Sequence, residues 1–210
     1  GSLGMAGAAL QGLLRNPLAD PSVIGISSSA GLGAVIAIYY GLAAASAIII
    51  PAFAIAFAFA AMLVLVWLAG RDASILTLIL AGVAISSFAA ALTSLAMNLS
   101  PNPFSLNDII LWLLGSLANR SFTEFWLAGP FMVAGWGALY LARKSLPALS
   151  LGEEAAASLG VDLRKLRLLV IFGAALSVGG GVAVSGAIGF VGLVAPHLVR
   201  PFVAHDPGRL

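Results

Sequence analysis

Cysteine is absent from the 210 residues, which removes disulfide frameworks, thiol chemistry and cysteine-based metal sites. Charge is scarce: 10 Lys or Arg and 8 Asp or Glu make up 9% of the chain, against about a quarter in a soluble domain. Together with a hydrophobic content of 61%, this excludes an ordinary soluble enzyme, a disordered tail and a disulfide-stapled secreted module. A net charge of +2 gives no argument for nucleic acid. There is no G-x-x-x-x-G-K-[ST] run to cradle phosphates, no H-E-x-x-H and no pair of acids inside an apolar run, so those catalytic classes fall away. What is abundant is uncharged apolar sequence. A spanning helix needs about 20 such residues, and the composition reads as an all-α, polytopic membrane helical bundle.

The charges are clustered, and the gaps between them define the spans. They predict spans at about 23–42, 47–70, 74–98, 125–142 and 168–186, with a short one at 188–199. Residues 3–14 read as the tail of an earlier span, no basic start or cleavage site precedes them, and the chain is expected to be an internal piece of a longer protein. Arg15, Arg71, Arg143, Lys144, Arg164, Lys165, Arg167, Arg200 and Arg209 can all share the cytosolic side, leaving only Arg120 outside, in a loop from about Leu99 to Glu124. This even number of crossings requires the 168–199 stretch to go across and return. The break is expected at Gly179-Gly180-Gly181 and at the glycines from Gly186 to Gly192, because broken helices at membrane depth occur where backbone is buried in protein or lines a cavity.

Four segments carry more information. Gly173, Ser177, Gly181, Ser185 and Gly189 recur every fourth position and form a smooth stripe suited to close helix packing, the plainer reading than substrate contact. Ser150 and Glu153 have capping-box spacing, Glu153 and Glu154 sit at the favourable end of a helix dipole, and Gly160 is placed to stop the helix. They predict a cytosolic helix of about two and a half turns, with Asp162 placed to cap the segment after it, and a small smooth helix of this kind suits a groove on a partner. Pro17 and Pro21 bracket a polar turn that ends a span, and Ser27, Ser28 and Ser29 beyond it read as an interhelix surface or a pathway lining. His197 and Arg200 read as side chains snorkelling after a helix stop at Pro196. Ser185 with His197 faintly suggests an intramembrane serine protease dyad, but Ala183 replaces the expected glycine and Ser185 already belongs to the packing stripe. The absence of charge within the spans also argues against ion-coupled carriage.

Asn16-Pro-Leu-Ala-Asp-Pro21 followed by Gly25-Ile-Ser-Ser, Leu80-Ala-Gly-Val-Ala84, Trp112-Leu-Leu-Gly-Ser-Leu117 and Gly186-Ala-Ile-Gly-Phe-Val-Gly-Leu-Val-Ala-Pro-His197 resemble the FecCD family, the permease subunits of bacterial ATP-driven importers for iron-siderophores, haem and vitamin B12. The resemblance covers essentially all of this sequence and the middle of the usual ten-span subunit. It implies a vitamin B12-importer-type permease fold truncated at both ends, set in the bacterial inner membrane as a transport subunit and not an enzyme. The implied partners are a second permease subunit, identical or not, two ATP-binding subunits that hold ATP and Mg²⁺, and a periplasmic binding protein facing Arg120 and the outer loop. This chain itself would bind no cofactor. The 150–166 region matches coupling helices that dock on the ATPase, through Glu153, Glu154, Ala155, Ser158, Leu159 and Gly160. Asn16 and Leu18 match a cytoplasmic constriction. The turn Ala73-Ser74-Ile75-Leu76 matches a second gate, with Ile75 and Leu76 where the vitamin B12 permeases carry small hydroxyl residues; an apolar constriction seals by dewetting. Ser86, Ser87, Thr93 and Ser94 would line the pathway. The implied cargo is a metal chelate, a ferric siderophore first, haem second and vitamin B12 third. An ion-coupled carrier or channel without an ATPase is the reading from a different class.

Overall fold

The computed structural model describes residues 1–46, 48–70, 74–118 and 120–200; Ala73 of the second gate turn, and Arg71 and Arg209 of the cytosolic set, lie outside the described residues. Among those described, the regular structure is helical: α1 (Ser2–Leu13), α2 (Ile26–Tyr39), α3 (Ile49–Ala69), α4 (Ile75–Asn98), α5 (Pro103–Leu114), α6 (Phe122–Ala142), α7 (Leu146–Leu149), α8 (Glu153–Ser158), α9 (Leu163–Ser185) and α10 (Val191–Val199). Four of these, α3, α4, α6 and α9, are long and apolar enough to cross a membrane.

Local chemistry sets the helix starts. Ser74 accepts the amide hydrogen bond of Thr77 at the head of α4, and Asn102 accepts that of Ser105 at the head of α5, where Pro103 supplies a first residue that needs no donor. Ser121 and Glu124 close a reciprocal capping box on α6. Asp162 accepts from the Lys165 amide and opens α9.

The bundle is arranged around α9, which packs against α1, α2, α3 and α6. Two-thirds of its apolar window is buried, against 17% for α4, the most outward of the long helices. Small residues allow this crowding. A Cβ on Gly135 of α6 would stand 2.7 Å from the Gly173 carbonyl oxygen and overlap the Ser177 hydroxyl, so the small-residue stripe is used for packing at its first two positions. Gly181 faces open space.

Several expectations are corrected. The outer 99–124 segment is not simply a loop, because α5 forms within it and buries Ile109. The helix expected over 23–42 is α2 alone, preceded by a 3₁₀ turn (Pro21–Ile24) and by Gly25 at φ 79°. No break occurs at Gly179-Gly180-Gly181: Gly179 and Gly180 are buried against Ala58 and Met132, and the continuous helix ends only at Gly186. Pro196 does not stop a helix but lies inside α10. Residues 163–166 are the first turn of α9 and not part of a separate cytosolic helix.

Candidate functional site

Two regions collect the residues singled out by sequence. The first begins where α1 ends. Arg15 donates its amide to Gly12 O, and Asn16 to Gln11 O, closing the helix as a glycine would, with Arg15 itself at φ 49°. Asn16 Oδ1 then accepts from the Leu18 amide at 2.9 Å, and Asp20 Oδ1 from the Ser22 amide at 2.9 Å. Both turns follow from side chains that mimic a backbone turn. Asn16 and Leu18 are therefore exposed on one tight loop, with Leu18 71% accessible. Ile75 and Leu76 stand on a different element, the first turn of α4, half-buried and exposed respectively. The link between the two elements is the 3₁₀ turn: a Cβ on Gly82 of α4 would overlap the Val23 carbonyl oxygen, and Ser86 Oγ donates to Ser22 O at 3.2 Å.

Above that turn lies a cavity of about 460 Å³, between α2, α4, α5 and the segment joining α9 to α10. Thr93 and Ser94 line it together with Ser27, Ser28 and Asp20. Ser86 sits one step below, tied to Ser22, and Ser87 is exposed elsewhere on α4. Of the serine run near the start of α2, Ser29 is buried among helices, so the run serves both packing and cavity. The described residues include no cluster of three metal-ligating side chains.

The second region is α8. The capping box expected from Ser150 and Glu153 does not form: Gly152 occupies the cap, Ser150 Oγ donates to Pro147 O, and the helix has only 6 residues. Its end is as the sequence implies. Gly160, at φ 84°, and Val161 return their amides to Ala157 O and Ala156 O, which satisfies the last carbonyls. The six residues proposed for docking divide by exposure. Glu154, Ser158, Leu159 and Gly160 are exposed, Ala155 is half-buried, and Glu153 faces α9, where Oε1 accepts from Arg167 Nη2 at 2.8 Å. Ala156 is wholly buried beneath them. The outward patch is small, smooth and continuous with exposed Leu151.

Ser185 donates to Gly181 O at 2.8 Å within its own helix, and His197 is exposed on α10, so the protease pairing has no geometry behind it. Arg200 does not snorkel away: its Nη2 donates to Gln11 Oε1 at 2.7 Å. Sequence reasoning overlooked Gln11, which is 3% exposed and also donates from Nε2 to Ala19 O and Leu193 O, both at 3.3 Å. The available signal was a lone amide inside an apolar run four residues before Arg15.

The family model of the FecCD transport family matches residues 1–210. The ABC transporter permease protein YvrB of Bacillus subtilis is 39% identical over 204 residues, 95% of this chain and 57% of its own length. The cobalamin import system permease protein BtuC of Halobacterium salinarum is 36% identical, covering 98% of this chain and 55% of its own length. The Fe(3+)-citrate import system permease protein YfmE of Bacillus subtilis is 38% identical, covering 94% and 59%. A solved inward-facing structure described as a metal-chelate type ABC transporter superposes with a TM-score of 0.91 at 34% identity, over 99% of this chain and 66% of that one. This chain thus spans somewhat more than half the length of the curated relatives it matches.

Proposed function

The chain belongs to the FecCD transport family, and from that premise we propose that it forms the membrane-spanning pathway of a permease subunit in a bacterial ATP-driven importer. It works in the inner membrane as one of two permease subunits, with two ATP-binding subunits below and a periplasmic binding protein above. Hydrolysis, with its ATP and Mg²⁺, belongs to the ATP-binding subunits. The observation that carries this reading is α8: a capped, one-and-a-half-turn helix held to α9 by the Glu153–Arg167 pair, which presents Glu154, Ser158 and Leu159 outward. A lever must be attached to the body that it moves, and an ATPase shifts a permease only by docking differently on two of its conformations.

The cargo is a metal chelate, with a ferric siderophore as the first choice. The hydroxyl-lined cavity and the exposed Asn16 and Leu18 suit a bulky polar complex passing between a shielded pathway and the cytosol. A corrin or haem is the second reading, favoured by the cobalamin-importing relative. Growth of a deletion strain on single iron sources, and on vitamin B12, separates them.

The docking test uses the absence of cysteine from these 210 residues, with any cysteine in the rest of the full-length parent first replaced by serine. Ser158→Cys in the full-length parent is labelled with a membrane-impermeant maleimide in intact cells and in inverted vesicles, with and without the ATPase subunit. The expected result is labelling in inverted vesicles alone, suppressed by the ATPase. Labelling from outside overturns the topology, and cytosolic labelling indifferent to every ATPase tried favours a carrier that has no such partner.

A further inference from the structure

Gln11 occupies a position that the transport reading does not use. It lies in the last turn of α1 with its side chain buried, and three of its four hydrogen-bonding positions are committed. The oxygen accepts from Arg200, at the end of α10, and the two N–H groups are directed at the carbonyls of Ala19 and Leu193. One side chain thus ties α1 and the 14–20 loop that follows it to α10, more than 180 residues later. Independent contacts support the same junction. A Cβ on Gly7 would overlap the Gly192 carbonyl oxygen, so the backbones of α1 and α10 already touch one turn before Gln11 meets Leu193. Both segments that Gln11 grips are entered through a non-glycine residue in the left-handed region, Arg15 at φ 49° and Phe190 at φ 69°. Such conformations persist only where the surroundings over-determine them.

We propose that Gln11 is the positioning residue of the 14–20 loop: its buried amide clamps the loop to α10, so that the two move as one body. The inference deepens the transport reading and rests on it for the loop's role as a cytoplasmic gate. In that role, displacement of α9 by α8 reaches Asn16 and Leu18 through α1, which packs against both α9 and α10 and carries Gln11.

The test is the opening of the loop. Ala19 is 3% exposed, and a thiol placed there reacts only when the loop lifts away. Ala19→Cys is introduced as the sole cysteine of the full-length parent, any outside these 210 residues being replaced by serine, the protein is purified in detergent, and its maleimide labelling rate is measured with Gln11 and with Gln11→Met. Ala142→Cys, at a 1%-exposed position in the core cluster that includes α1, serves as the control for general loosening. Loss of all three hydrogen bonds, of which the one to Ala19 O holds the loop, is expected to raise the Ala19→Cys rate about tenfold, with the Ala142→Cys rate unchanged. Equal acceleration of both thiols, or of neither, overturns the proposal. Should Gln11→Met not accumulate, Gln11→Glu decides by the same readout: it keeps the acceptor for Arg200 and loses the donors to Ala19 and Leu193. The measurement needs neither ATP nor cargo. A loop released without any effect on uptake would therefore overturn the gate reading while leaving the clamp standing.

Discussion

Arg15 holds φ at 49°, a conformation that costs a residue with a Cβ about 1–2 kcal/mol. Part of that cost returns as chain entropy when glycine takes the place. Arg15→Gly is therefore expected to stabilise the fold by about 0.5–1 kcal/mol, read as a rise of a few degrees in the thermal midpoint in detergent. Glycines in the packing stripe give the opposite and more selective result. Gly135→Ala pushes a methyl group into the Ser177 hydroxyl and the Gly173 carbonyl, and should destabilise by about 1–3 kcal/mol. Gly181→Ala enters open space and should be neutral or gain a few tenths of a kcal/mol, about what removing a mid-helix glycine brings. Parallel thermal unfolding of the two variants decides whether the stripe packs along its whole length or only beside α6. These distinctions are invisible in the sequence, where the five small residues are equivalent by spacing. Which of them touches a neighbour depends on where α6 crosses.

At the scale of single elements, α8 separates attachment from docking. Glu153→Gln removes the charge that holds Arg167, whose side chain is 14% exposed against 34% for its partner. With both groups partly screened, the pair contributes about 1 kcal/mol, and hydrogen exchange of the 153–158 amides should accelerate about fivefold. Glu154→Gln and Leu159→Ala alter exposed positions and should leave that exchange unchanged while weakening retention of the ATPase subunit in pull-down from membranes. The helices α3, α4, α6 and α9 are legible because long uncharged runs have no other economical fold in a bilayer. The short ones are not. Asp108 makes α5 look like loop, although Asn102 and Pro103 carry its start signal. The capping box proposed at Ser150 fails because Pro147 O captures the serine hydroxyl. For the candidate site, spacing and resemblance pick out turns and hydroxyls, but the division of 153–160 into inward and outward residues depends on Arg167, a partner 14 residues away. Gln11 is further from reach, since its meaning lies in residues 182 and 189 positions later.

For the whole molecule, aromatic residues mark two levels. Trp126 is 71% exposed near the start of α6, beside Phe122 and Phe125, and Trp67 is 78% exposed near the end of α3. Tyr140 lies at the other end of α6 from Trp126, with the Arg143 guanidinium 3.9 Å above its ring. The rise from Trp126 to Tyr140 is about 21 Å at 1.5 Å per residue, within a hydrocarbon core of about 30 Å. Variants retaining only Trp67 or only Trp126 should be quenched most by lipids brominated near the headgroup and least by those brominated at the chain ends. The opposite order would place α3 or α6 differently in the bilayer. The Gln11 junction, finally, has a consequence for synthesis. At about 5–20 residues per second, a ribosome needs roughly ten to forty seconds to extend the chain from Gln11 to Leu193 and Arg200. During that interval the Gln11 amide has its Ala19 partner but neither Leu193 nor Arg200. A nascent chain arrested short of α10 therefore has an unfinished α1, and the order of translation makes a segment 182 residues later the one that completes it.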